Sequence, residues 1–231
     1  MNTAIIVAAG SGQRFAADTP KQFVPILSKP LIIHTLEKFE ACSAIDQIVL
    51  VLSETGRDEF ERFSSEYQIL NLKSIVIGGA SRTESVKNGL DAVDAATANI
   101  IIVHDGARPL VSVDEITRTV EKAAETGAAC LVAGLTDTIK EIDGEFISRT
   151  IDRSRLRRAL TPQAFRYDII RRAFDDSGLN ESITDECFLV ERLGYPISCV
   201  EGSSKNIKIT HQSDLAIAEA IISASGWSPS R

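Results

Sequence analysis

Residues 3–21 read Thr-Ala-Ile-Ile-Val-Ala-Ala-Gly-Ser-Gly-Gln-Arg-Phe-Ala-Ala-Asp-Thr-Pro-Lys. A short apolar run, 4–9, delivers a loop of small residues carrying Gly10 and Gly12. Two cations follow, Arg14 and Lys21, and Pro20 restricts the backbone just before the lysine. Small residues let a backbone approach a phosphate closely, and loop N–H groups can cradle it. Nearby cations neutralise charge that grows on phosphorus during reaction. Two commoner phosphate loops do not fit. A P-loop needs Lys-Ser/Thr directly after its second glycine, where Gln13 and Arg14 stand. A dinucleotide fingerprint needs a small residue where Phe15 stands.

Outward from this stretch, strand-like and helix-like segments alternate. Strands are expected at 4–8, 47–52, 74–77, 100–103 and 129–133, and helices at 31–42, 57–67, 84–93 and 114–126. Such alternation predicts an α/β, Rossmann-like, mostly parallel sheet flanked by helices. Ligands then gather at the carboxyl ends of strands, where the Gly10 loop and Asp105 both fall. The rhythm breaks at 139–151, where two runs flank Asp143-Gly144, a hairpin pattern. A lone two-stranded ribbon is marginal in water, so this arm should project and be covered by a second subunit. Further helices are expected at 168–175 and 185–193, with a strand at 197–200 between them and a last helix at 213–223. That helix shows Leu215, Ile217, Ala218, Ile221 and Ile222 at amphipathic spacing, and the tail after it should fray.

The chain has 231 residues, enough for one full core. Its formal net charge of −7 argues against a protein that coats itself in nucleic acid. An anionic nucleotide therefore needs a local cationic pocket. Cys42, Cys130, Cys187 and Cys199 lack CxxC spacing and are expected as buried reduced thiols, with Cys130 in the core. His34, His104 and His211 form no metal-spaced pair. No apolar run approaches the roughly 18 residues that span a bilayer. The strand expected near residue 4 leaves no room for a signal peptide, so the expectation is a cytoplasmic protein; a plastid protein without its transit peptide would read alike.

Gly78-Gly79-Ala80-Ser81-Arg82-Thr83-Glu84-Ser85-Val86 joins a strand to a helix. Its glycines allow close approach to a flat base, Ser85 can bond the base's edge, and Ser81 or Thr83 can cap the helix. In His104-Asp105-Gly106-Ala107-Arg108-Pro109, an acid at a strand end is placed to hold Mg²⁺ beside phosphates, and Arg108 is a natural anion ligand. Thr138, Arg153 and Asn206-Ile207-Lys208-Ile209-Thr210 add polar and cationic groups at turns. Arg155, Arg157 and Arg158 read as surface charge.

Together with Pro20-Lys21-Gln22 and Thr161-Pro162-Gln163, these motifs stand in the order of one family, and the chain resembles the 2-C-methyl-D-erythritol 4-phosphate cytidylyltransferases over essentially its whole length. The resemblance implies one nucleotidyltransferase domain over 1–231 with an arm at about 137–153 used in dimerisation. It implies CTP, methylerythritol phosphate and a divalent cation such as Mg²⁺, a homodimer, and neither nucleic acid nor membrane as partner. Carried over, Ala8, Ala9, Gly10, Gly12, Gly79, Ala80, Ser85 and Gly106 would lie around CTP. Arg14 and Lys21 would stabilise the transition state, with Arg153 and Lys208 catalytic through the second substrate. Arg108, Thr138, Arg153, Thr161, Thr184 and Lys208 would surround the sugar phosphate, some from the partner subunit. Asp105 would bind the metal or substrate hydroxyls. Gly106 stands where the family commonly has Ala, which implies a looser loop.

Two other functions fit parts of this pattern. A ribitol-5-phosphate cytidylyltransferase shares the fold and reaction, and Ala107-Arg108-Pro109-Leu110 weighs against it. A silent CTP-sensing module would not need Arg14 and Lys21 together. No serine, cysteine or histidine nucleophile stands out, as expected where a phosphate oxygen, already anionic, attacks phosphorus.

Overall fold

The computed structural model describes residues 1–10, 15, 20–176 and 183–224. In chain order the elements are β1 (Thr3–Val7), β2 (Pro25–Ile26), β3 (Lys29–Pro30), α1 (Leu31–Glu40), β4 (Gln47–Leu52), α2 (Glu54–Phe63), β5 (Leu72–Ile77) and α3 (Arg82–Asp91). Then come β6 (Ile100–Asp105), α4 (Val113–Thr126), β7 (Ala128–Gly134), β8 (Ile139–Asp143), β9 (Phe146–Ile151), β10 (Arg157–Arg166), α5 (Tyr167–Asp176), α6 (Glu186–Arg192), β11 (Ser198–Glu201) and α7 (Gln212–Ala224). Helix starts follow side-chain caps. Ser53, Ser81 and Asp185 each accept from a first-turn N–H, and Ser112 with Glu115 forms a full capping box. The Ser53 cap begins α2 three residues before the periodicity suggested, and a 3-10 turn, Ser64–Glu66, ends it.

Seven strands form one sheet in the order β11-β7-β10-β6-β1-β4-β5. All are mutually parallel except β10, which runs antiparallel between β6 and β7. Alternation along the central strands feeds two cores. Ala4, Ile6, Leu50 and Ile102 face Ile32, Leu36 and Phe39 of α1 and Ile116 and Val120 of α4. Ile5, Val49, Val51, Ile101 and Val103 face Val86 and Leu90 of α3, Ile170 and Phe174 of α5, and Leu189 and Val190 of α6. A third cluster seats α7 through Ala218 and Ile222 against Ile26, Leu31, Phe15 and Ile209. The inward stripe of α7 is Leu215, Ala218 and Ile222, whereas Ile217 is half exposed. The tail expected to fray, 225–231, lies outside the described residues.

β10 corrects the sequence reading, which left 157–166 without a strand. Pro162 argues against a central strand because it donates no ladder hydrogen bond. Pairing with β7 shifts between Ala159 and Gln163, so the proline falls inside a bulge and breaks no regular ladder. The expected hairpin forms as β8 and β9 around Asp143-Gly144, with Gly144 at φ +59°. Ile142, Phe146 and Ile147 near its tip are exposed, more apolar surface than the mixed-charge sequence suggested. Cys42, Cys130 and Cys187 are buried as expected; Cys199, on edge strand β11, is exposed instead.

α3 lies close on the sheet because Gly89 has no side chain. A Cβ there would stand 2.6 Å from Ile5 Cγ2 and 3.0 Å from Val51 Cγ2. Alanine gains about 1 kcal/mol of helix propensity over glycine, yet overpacking two β-branched core residues costs about 1–3 kcal/mol. Gly89→Ala should therefore lower the chemical-denaturation midpoint. An unchanged or higher midpoint would show that the helix has room to lift.

Candidate active site

The carboxyl ends of β1, β5 and β6 open into a cleft of about 680 Å³. Ala8, Ala9 and Gly10 line it from the β1 loop, and Gly79, Ala80 and Ser85 from the turn into α3. Asp105 and Lys208 form another wall, with Lys21 alongside. Arg14 and Gly12 lie outside the described residues.

The two small-residue loops touch because Gly78 has no Cβ: one would overlap Ala9 Cβ and stand 2.7 Å from Ser85 Oγ. Ser85 Oγ accepts from Gly79 N at 3.1 Å and donates its one proton to Ser81 O at 2.8 Å. Towards a ligand this hydroxyl is left as an acceptor. Lys21 Nζ donates to Ile209 O at 3.0 Å, which sets it beside Lys208. Gly106 is not loose as the family comparison implied. Its N–H donates to Val7 O at 2.8 Å and its carbonyl accepts from Thr35 Oγ1 at 2.9 Å. A Cβ there would stand 2.9 Å from Ala8 Cβ.

Asp105 is the electrostatic centre. Oδ1 accepts from Arg82 Nε at 2.9 Å, and Oδ2 meets Lys208 Nζ at 2.9 Å and Arg108 Nε at 3.5 Å. Burial opposes its charge, but Arg82, Lys208 and Arg108 more than offset this and hold the carboxyl far below the usual carboxylate range. Arg82 was not singled out by sequence reading. Its one sign in the sequence is an arginine inside a glycine-rich turn whose cap and glycines account for the pattern without it.

Behind Asp105 a hydrogen-bonded chain runs through the sheet. Asp105 N donates to Thr161 Oγ1 at 3.1 Å, which lies 3.1 Å from His104 Nδ1, and His104 Nε2 lies 3.2 Å from Arg108 O. A carbonyl only accepts, so Nε2 carries the ring proton and Nδ1 accepts from Thr161. Thr161 is buried with its proton committed to His104, so it meets the cleft through Asp105. Asn206 extends the brace, giving Nδ2 to Thr161 O and accepting Arg108 Nη1 at its carbonyl.

Three of the remaining residues carried over from the family stand apart from the cleft lining. Arg153 is exposed at the foot of the hairpin, bonded to Thr136 O, with Thr138 exposed nearby on the other leg. Thr184 is exposed immediately before the cap of α6. Arg155, Arg157 and Arg158 are exposed, in line with surface charge.

Among the described residues no group of three His, Cys, Asp or Glu gathers. Among the described residues lining the cleft, Asp105 is the one carboxylate. That donor set fits Mg²⁺ carried largely by substrate phosphates, since Mg²⁺ is commonly held by one or two carboxylates with phosphates and water.

Small-residue loops and lysines at the carboxyl edge of an α/β sheet suit the phosphates of a nucleotide. The sequence profile of the 2-C-methyl-D-erythritol 4-phosphate cytidylyltransferases matches residues 2–224, and the chain belongs to that family. It is 40% identical over 222 residues to the enzyme of that name from Geobacillus thermodenitrificans, covering 96% of each chain. It is 42% identical over 222 residues to the one from Bacillus velezensis, covering 95% of each. The crystal structure of 4-diphosphocytidyl-2C-methyl-D-erythritol synthase from Anaerococcus prevotii superposes with a TM-score of 0.83 at 28% identity, covering 96% of each chain.

Burial pushes the His104 imidazole down to about 3 from its ordinary 6.5. Between those values the unfolded chain binds a proton that the folded chain does not. The stabilisation is therefore complete above about pH 6.5 and is lost as pH falls, by up to about 1.4 kcal/mol per pH unit. His34, also lowered by burial, acts in the same sense. Denaturation free energies measured from pH 7 to 4.5 should thus decline, and His104→Gln should flatten the decline without abolishing it. An unaltered slope in the variant would mean that His104 is protonated in the folded state.

Proposed function

We propose that this chain transfers CMP from CTP to 2-C-methyl-D-erythritol 4-phosphate, releasing pyrophosphate and forming 4-diphosphocytidyl-2-C-methyl-D-erythritol. The observation that carries this is the convergence of Lys21 and Lys208 on one cleft with the Ala8–Gly10 and Gly79–Ser85 loops. The sugar's phosphate oxygen attacks the α-phosphorus in line, and the bond to the bridging oxygen breaks with its electron pair going to pyrophosphate. The nucleophile is already an anion, so no general base is required. What the chain must do is bring two anions together and hold them.

Small loops admit the nucleotide. Ser85 Oγ, left as an acceptor, suits the exocyclic amino group of cytosine. Lys21 neutralises charge growing on the transferring phosphate, and Arg14, seven positions earlier in the sequence, suits the same task. Lys208 and Arg108 supply cations towards the sugar phosphate, and Asp105 would share a divalent cation or the substrate's hydroxyls. A bound Mg²⁺ would supply further charge neutralisation on the triphosphate. Arg153, Thr138 and Thr184, exposed outside this cleft, suit service to the sugar phosphate across a dimer. Among the described residues no helix is long and apolar enough to cross a membrane, in keeping with an enzyme of soluble substrates in the cytoplasm.

Pyrophosphate release from CTP and Mg²⁺ with each sugar phosphate tests the reading. Methylerythritol phosphate should support turnover, ribitol 5-phosphate far less, and ATP should not replace CTP. Equal turnover with both sugar phosphates would assign the chain to a broader cytidylyltransferase, and CTP binding without turnover would make it a sensor.

The arm supports a homodimer. Ile142, Phe146 and Ile147 expose apolar surface on an otherwise solvated ribbon, which a two-fold partner would cover. Replacing 139–151 by a short Gly-Ser loop should yield a monomer of low activity. Light scattering that still shows a dimer would place the interface elsewhere.

A further inference from the structure

Glu186 is a fully buried carboxylate to which the mechanism above assigns no task. Its Oε1 accepts from Arg82 Nη1 at 2.7 Å, and among the described residues its Oε2 has no hydrogen-bond partner. It cannot readily move. Asp185 caps α6 by accepting Phe188 N at 2.9 Å and takes Gln163 Nε2 at 2.9 Å, while Gln163 Oε1 accepts Cys187 N at 3.1 Å. The first turn of α6 is thereby tied to β10. Burial pushes the Glu186 carboxyl above the usual carboxylate range and Arg82 opposes this, so withdrawing Arg82 would force Glu186 to take up a proton or remain an unpaired buried charge. Burial opposes the charge on Arg82, yet Glu186 and Asp105 outweigh it and raise the guanidinium further above its ordinary range.

The three cations on Asp105 are therefore not equivalent. Lys208 is a flexible ammonium with 37% of its side chain exposed, and among the described residues Asp105 is its one ion-pair partner. It can turn to an arriving phosphate, exchanging one anionic partner for another while Arg82 and Arg108 stay on Asp105. Arg108 meets Oδ2 at a longer 3.5 Å and is bonded to Asn206 O. Oδ1 is held by Arg82 alone.

We propose that Arg82 is a positioning residue for the transfer reaction: locked by Glu186, it fixes Oδ1 of Asp105 so that the carboxylate stays oriented when Lys208 leaves Oδ2 for the sugar phosphate. This rests on the cytidylyl-transfer reading above. Arg82 acts through Asp105, and Glu186 acts through Arg82. The line runs from the α6 turn, across the first residue of α3, to the end of β6.

A double-mutant cycle tests it, read as kcat/KM for methylerythritol phosphate at saturating CTP, with Tm measured alongside. Wild-type turnover comes first; without it the transfer reading fails and this role falls with it. Given turnover, Arg82→Gln should lose at least roughly tenfold in kcat/KM. Arg82→Lys, which keeps the charge but not the fork, should lose nearly as much with Tm close to wild type. Glu186→Gln should show a smaller loss that disappears in the Arg82→Gln background. Arg82→Gln combined with Asp105→Asn should be no worse than Asp105→Asn alone, within about twofold. Additive losses would mean that Arg82 meets the substrate itself and would overturn the positioning role. So would an Arg82→Lys enzyme within about twofold of wild type, or losses that track Tm, or failure of every variant to fold.

Discussion

A carboxylate removed from water at the end of a strand must be matched by cations, and the arrangement around Asp105 follows from that requirement. Asp105 closes β6, and its three partners come from the start of α3, the loop after β6 and the segment leading to α7. Elements far apart in the chain are thus drawn to one point by charge, while the apolar faces of the sheet fix their directions. The same convergence gathers cations in the cleft at the carboxyl edge of the sheet. A chain with a formal charge of −7 can in this way attract anions locally.

The bulge in β10 makes the brace behind Asp105 possible. A regular ladder continuing past Asp105 would pair its N–H with backbone. At the bulge beside Pro162 the ladder lapses, and Asp105 N turns to the Thr161 hydroxyl instead. That substitution brings in His104 and Arg108, so a neutral ring braces the strand end that carries the charge. Glycines at 78 and 106 let the flanking backbones close on the β1 loop from two sides.

Much of this was legible in the sequence, for reasons that differ by element. β1, β4 and β6 are apolar runs buried on both faces, and α1, α3 and α4 carry helical periodicity, so composition and spacing announced them. The cleft residues of the two glycine loops were legible because tight backbone approach needs small residues. β10 was not, because Pro162 contradicts a central strand unless a bulge absorbs it, and a bulge depends on the partner strands. Ile217 misled because helical spacing places it near the apolar stripe, yet it is half exposed beside the stripe of Leu215, Ala218 and Ile222. Arg82 and Glu186 were hidden for another reason. A buried ion pair spanning 104 positions has no local pattern, and each residue alone reads as a solvated charge on a helix's first turn.

The charge pattern also explains why the cleft lacks the usual apparatus of covalent catalysis. Among the described residues lining it, the titratable groups are cations and one deeply ionised carboxylate. The His104 imidazole, beside Asp105 in the chain, is held neutral behind the strand with both nitrogens engaged, so it cannot serve as a base towards the cleft. Such a site neither generates nor needs a nucleophile. It suits a reaction whose nucleophile arrives as an anion and whose barrier is the approach of like charges, which cations gathered at the cleft before binding lower. Fixing those cations requires counter-charges that do not leave with the substrate, and Asp105 with the buried Glu186 provides them.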